Sequence, residues 1–254
     1  MAGCPLRCRN DKQGTDVAIE LPGPVVDLLR FFGINWPTIN EDSVRELAGH
    51  VRQFAQNMDS VHQDASSTIQ NMGQAYQGAS YEALLDLWTN KSSKHAQELT
   101  EACHVVAEAL DAGADVIVGM KLAAIGELAA LAVSFVADQA AAVATFGLAE
   151  AALAAIEVAA RKIIDFLVQQ IIGYLTSEIV GAALQPLLGK VAAAVEGWAF
   201  QELSSAVGAG SVGASFMVHH DDLVSHSAVM RGHAETAAGH AQNFRAAVTG
   251  VSFA

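Results

Sequence analysis

The sequence predicts an all-α fold: an elongated helical bundle built on a long antiparallel helical hairpin, with additional Ala-rich helices. Two observations carry this. Apolar residues recur at spacings of three and four over consecutive heptads, the pattern of a helix with one stripe to bury. The composition agrees: 52% of residues are hydrophobic, only 6% are aromatic, and of five prolines only Pro186 lies beyond position 37.

Taken in order, residues 1–20 carry mixed charge without periodicity and read as a disordered leader. "LPGPVVDLLRFFGINWP" then predicts a short helix from about Pro24 to Phe32, stopped by Gly33. Thr38 or Asn40 can cap the next helix, and Glu41 and Asp42 suit its positive end. That helix has the clearest pattern in the chain. Val44, Val51, Met58, Ala65 and Met72 recur every seven residues, with Leu47, Phe54, Val61 and Thr68 between them. From about Asn40 to Gln74 it would be roughly 50 Å long. Such a rod needs partner helices to cover its stripe.

"AYQGAS" turns the chain at Gly78, with Ser80 as the expected N-cap of the second arm. Tyr81, Trp88, His95, Ala102 and Ala109 form one series there, and Leu85, Ser92, Leu99 and Val106 the other. The polar interval "TNKSSKH" weakens this stripe and predicts looser or water-facing packing. The hairpin interface is therefore expected at Val44, Leu47, Val51, Phe54, Met58, Val61, Leu85, Trp88, Leu99 and Val106.

Residues 21–113 are assigned to the hairpin and 114–206 to an Ala-rich bundle of two or three helices, with breaks near Gly147 and Pro186. Glu150, Glu157, Arg161, Asp165 and Gln169 line one edge of it, as a water-facing edge or the lining of a polar channel. Residues 207–254 comprise a flexible link, "VGAGSVGASF", and a C-terminal helix packed on the same unit.

Several function classes are disfavoured. A net charge of −13 argues against nucleic-acid binding, which concentrates Lys and Arg. Cys4, Cys8 and Cys103 make no disulfide framework and too few ligands for zinc. No cofactor is expected, and no nucleophile elbow, metalloprotease helix or phosphate loop indicates an enzyme. No secretory signal is visible, since the basic residues near the start precede no apolar run. Charges interrupt residues 122–201 too often for a membrane-spanning helix, so membrane contact is expected only conditionally.

These residues resemble the WXG proteins of actinobacterial and firmicute type VII secretion. Tyr76-Gln77-Gly78 stands where that family has Trp-x-Gly at its hairpin turn. The order of elements, "LPGPVVDLLRFFGINWP", "EDSVRELAGHVRQFA", the turn, "SYEALLDLW" and an Ala-rich stretch, is similar to the N-terminal domain of CpnT-like channel/toxin proteins. The resemblance implies a non-enzymatic secretion substrate or N-terminal targeting module, exported without a cleaved signal peptide to the envelope or outside. It implies contact with secretion machinery and pairing with a small WXG-type helical partner, or self-association. Tyr76 and Gly78 become the turn and export motif. Tyr174 and Glu178 fit the family's Tyr-x-x-x-Asp/Glu export signature, though Gly113 and Ala114 occupy its usual place. An alternative is a pore-forming or envelope channel module acting through the Ala-rich helices. With no toxin domain before Ala254, an isolated module or the first piece of a longer protein is expected.

His219, His226, His233 and His240 are spaced by seven, about 10 Å apart on one side of a helix. That is too far to share a metal. Two readings remain: a pH-sensitive stripe beside a helix seam, or solvated flank histidines.

Overall fold

Nothing between residues 41 and 72 interrupts the first heptad stripe, and both ends of that segment carry stop signals. The computed structural model describes residues 19, 21–142, 149–197 and 217–252. Helix α1 spans Gly23–Phe31, with proline in its first turn, and ends before Gly33, whose φ of 63° favours glycine. Helix α2 spans Glu41–Met72. Asn40 is its N-cap: the side-chain oxygen accepts the Asp42 N–H at 2.9 Å, and Glu41 and Asp42 face the positive helix end.

The turn follows. Gly78 (φ 136°, ψ 176°) occupies the N-cap position of α3, Ala79–Leu87. This corrects the expected Ser80 cap: a backbone conformation open only to glycine already redirects the chain two residues earlier. A π-helical turn, Trp88–Ser92, joins α3 to α4, Ser93–Ala142. The second arm is thus an unbroken rod of about 95 Å. The polar interval supplies the π turn, yet Trp88 and Ser92 within it are buried. The division between residues 113 and 114 lies inside α4, which tolerates Gly113 because the neighbouring helix comes close. A Cβ there would stand 2.6 Å from Ile179 Cδ1.

Helix α5, Ala149–Tyr174, passes through a π-helical stretch, Leu175–Leu184, into α6, Gln185–Gly197. The break expected at Pro186 does not occur. A proline offers no N–H and crowds the carbonyl four residues back. The π-helical ladder ends just before it, so Pro186 sits in the first turn of α6, where proline is tolerated. The expected break near Gly147, the leader and the glycine-rich link lie outside the described residues. Strand β2, Met217–Val218, leads into α7, His220–Gly250. It pairs antiparallel with β1, Tyr76–Gln77, placing Tyr76 opposite Val218 and Gln77 opposite Met217. The fold is otherwise all-α.

Among the described residues, three apolar cores follow the rod. The main one joins α2, α4, the last turns of α5, the π stretch after it, α6 and α7, around Leu47, Val51, Phe54, Leu110, Ile117 and Ile171. Beyond it α4 outruns α2 and packs with α1 and α5 around Leu28, Leu128 and Ile164. At the opposite end, Ala65, Ile69, Met72, Leu84, Trp88 and Met230 form a small core beneath the hairpin tip. Arg45 bonds Asp115 at 2.9 Å and Arg52 bonds Asp111, bracing α2 against α4. Arg161 pairs with Glu157 at 2.9 Å and donates to the Phe32 carbonyl at 3.1 Å, tying α1 to α5.

Candidate functional site

The tip is built from the C-terminal end of α2 upward. The last carbonyls of a helix lack intrahelical partners. Here the Tyr81 hydroxyl donates to the Ile69 carbonyl at 3.1 Å, with the Gln70 carbonyl at 3.3 Å. Burial raises the Tyr81 pKa above the ordinary phenol range, so the group stays a donor at neutral pH. Its ring leaves no room beside α2: a Cβ on Gly73 would lie 2.6 Å from the Tyr81 hydroxyl oxygen. Gly73→Ala should therefore displace Tyr81 and cost about 1–3 kcal/mol, read as a shift in urea midpoint. An unchanged midpoint would count against the Tyr81 cap.

Tyr76 is half-buried, with its ring edge-on to Tyr81 at a centroid distance of 6.0 Å. It is neither enclosed between the hairpin arms nor free of the surface. The ribbon with β2 and the His219 N–H donated to the Ala75 carbonyl at 2.8 Å hold the turn against the start of α7. Gln77 stays exposed and donates to the Gly73 carbonyl at 3.3 Å. The tip is thus a small rigid platform in which Tyr76 and Gln77 pair with β2 and Gly78 opens α3.

Below it, Trp88 Nε1 donates to the Ser66 hydroxyl at 2.9 Å, and His62 stacks on the Trp88 ring with 5.4 Å between centroids. Burial lowers the His62 pKa below its ordinary value, against a smaller opposite pull from Asp59. The unfolded chain therefore binds a proton that the folded chain resists. This contribution to stability is complete above about pH 6.5 and is lost as the pH falls toward the depressed native value. Melting temperatures between pH 7.5 and 5 should fall less steeply in His62→Gln than in the parent. Parallel curves would remove His62 as a sensor.

The residues singled out from sequence fall in different places. Val44, Leu47, Val51, Phe54, Met58, Val61, Trp88 and Leu99 are buried, while Leu85 and Val106 are half-buried. The stripe of α2 also meets α7: Phe54 stacks on Phe244 at 4.6 Å. The hairpin is thus covered within its own chain. Tyr174 is half-buried near Gly113 and Glu178 is exposed on the π stretch, so neither joins the tip. Counted along the rod from Gly78 to Gly113, they lie about 50 Å from it. Among the four histidines, His219 is exposed before α7, and His226 donates its Nδ1–H to the Asp222 carbonyl at 2.8 Å. His233 lies 3.1 Å from Thr68 Oγ1; that hydroxyl donates to the Asp64 carbonyl, so Nε2 of His233 is the donor. His240 is half-buried.

Three elements escaped the sequence reading. Glu41 and Lys121 form a wholly buried ion pair, with side chains 0% and 4% exposed. The Gly73–Tyr81 contact and the β ribbon are the others. A lone lysine inside the apolar run "VIVGMKLAAIG" was the available signal for the first. Cys103 is buried, and burial pushes its thiol up to about 12, far from reactive. No cluster of three metal-ligating side chains occurs among the described residues. An open groove of about 420 Å³ between α4, the π-helical stretch and α6 is lined by Glu98, Glu101, Leu187 and Lys190 among others, with no serine, threonine, cysteine or histidine in its lining.

A family model described as WXG100 like domain matches residues 20–162, from α1 through the hairpin tip into α5. No curated protein and no solved structure matches the chain.

Proposed function

The chain belongs to the WXG100-like family, and from that premise we propose that it is a non-enzymatic substrate of type VII secretion, or the N-terminal targeting and partner-binding module of a secreted toxin-like protein. The observation that carries this reading is the hairpin tip. Tyr76-Gln77-Gly78 lies at the turn of two long antiparallel arms within the matched segment, on a rigid platform at the end of the molecule. A receptor of the secretion machinery would read that surface, and export would proceed to the envelope or outside without a cleaved signal. The likeness of element order to CpnT-like proteins supports the N-terminal module form. Because α7 covers the α2 stripe, a small WXG-type partner would dock on another face or displace α7.

The test is export of the tagged chain from a host with a type VII system and from the same host lacking its secretion ATPase. Tyr76→Ala and Gln77→Glu should retain helicity and lose export. Export that persists without the ATPase, or in both folded variants, would sink the reading.

A second reading, a channel module, is favoured by one observation. Among the described residues one helix, Tyr81–Gln139, is long and apolar enough to cross a membrane by length and composition. Its most apolar window has a mean hydropathy of 2.0, with 28% of that window buried. Release of dye from vesicles by the full chain would support this reading, and intact vesicles would refute it.

A further inference from the structure

The groove between α4, the π-helical stretch and α6 holds about 420 Å³, within the ordinary range of small-molecule sites. Small residues leave that space: Ala102 on the α4 wall, Ala182 and Ala183 on the facing wall, with buried Leu187 beside them. Glu101 and Lys190 line the groove from opposite walls, and both are exposed. Among the described residues neither forms an ion pair or a side-chain hydrogen bond, with the other or with a third group. Glu98, one turn before Glu101, already meets Lys94 at 4.0 Å and His95 at 3.6 Å on its own helix. The groove thus carries one unanswered charge of each sign.

Register decides how those charges are placed. The return from α5 through α6 runs antiparallel to α4, with Gly113 against Ile179. Equal steps from that contact set Lys190 about level with Ala102, and Lys190 lies close enough to the Cys103 thiol to favour its ionised form. Glu98, Glu101 and Lys190 therefore share one end of the groove, and Val105, Val106, Ala182 and Ala183 make the other end apolar. Val105 is 60% exposed there. A docked helix presents apolar and charged side chains in alternation along its length. This groove divides once, charge at one end and apolar surface at the other, as a head and a tail divide. We propose that it binds a zwitterionic amphiphile with one apolar tail. The ammonium of the head meets Glu101, its acidic group meets Lys190, and the tail lies along Val105, Val106 and Leu187. An anionic fatty acid would bring its charge against two carboxylates, and an alkylamine would bring its own against Lys190. The inference stands independently of the export reading.

The test is calorimetric titration of the full chain with myristoyl lysophosphatidylethanolamine, kept below its critical micelle concentration. A single saturable site is expected, with a Kd of about 1–100 µM. Glu101→Gln and Lys190→Gln change exposed positions, so both should keep the parent's helicity, and each should weaken binding about 10-fold. Ala182→Trp, also at an exposed position, should fill the apolar end and abolish uptake at an unchanged melting temperature. Glycerophosphoethanolamine, which is the head without the tail, and myristate, which has the tail without the ammonium, should each bind at least about 10-fold more weakly. Unchanged affinity in either charge variant or in Ala182→Trp would overturn the proposal, as would myristate bound as tightly as the zwitterion. Binding only to vesicles of the diacyl lipid would do the same. No saturable uptake at all would also overturn it, and would leave the groove to a partner helix or to solvent.

Discussion

Lys121→Met is expected to lower the stability of the chain by about 3–5 kcal/mol, the cost of leaving a buried carboxylate without its counter-ion. The side chain of Glu41 is 0% exposed and that of Lys121 only 4%. One Glu41 oxygen bonds Lys121 Nζ, and the other, buried, has no hydrogen-bond partner among the described residues. The carboxylate is thus held by one ammonium and by the positive end of α2, at whose first residue it stands. The ion pair need not add stability over an apolar pair of similar volume. The double variant Glu41→Leu/Lys121→Met should therefore regain most of the loss, or exceed the parent by about 1–4 kcal/mol. Urea midpoints followed by circular dichroism compare the three proteins. A single variant costing under about 1 kcal/mol would mean that water reaches the pair. The position gives the pair a structural role: it pins the first turn of α2 where α4 leaves the main core for the core with α1 and α5.

Phe54→Ala should cost about 3–5 kcal/mol, the range for removing a buried aromatic side chain from a packed core. Phe54 is 2% exposed and stacks on Phe244, itself 4% exposed, with 17° between ring planes. A double-mutant cycle with Phe244→Ala should return a coupling of about 0.5–1.5 kcal/mol beyond the loss of area. This contact decides whether α7 is an integral part of the bundle. If Phe54→Ala were costly while Phe244→Ala cost almost nothing, α7 would be loosely held and the α2 stripe open to a partner. Comparable losses for both would place the α2–α7 seam among the stable elements of the fold.

Much of the fold was legible because the helices here are periodic. The α2 stripe from Val44 to Met72, the Asn40 cap and the stop at Gly33 follow from local spacing and local backbone preference. The hairpin turn was legible for the same reason, since Gly78 adopts a backbone conformation open to glycine alone. Less was legible where one helix serves several neighbours. Small side chains surround α4, so its sequence shows an apolar rod without saying which face is covered. Pro186 reads locally as a break, yet the π-helical stretch before it absorbs the disturbance. At the tip, Tyr76 and Gly78 stood out by type, whereas the Tyr81 cap, the need for Gly73 and the pairing with Met217–Val218 did not.

The sequence by itself determined an all-α chain with one long hairpin, its turn at Gly78 and the residues of its first stripe. Those features depend on periods of three and four residues and on a single backbone torsion, which are local properties. Only the tertiary structure decided that α7 covers the hairpin within the same chain, that Lys121 lies opposite Glu41, and that Gly113 of α4 meets Ile179. Each of these joins residues dozens of positions apart. Periodicity states that a face must be covered; the packing of the remaining helices decides by what.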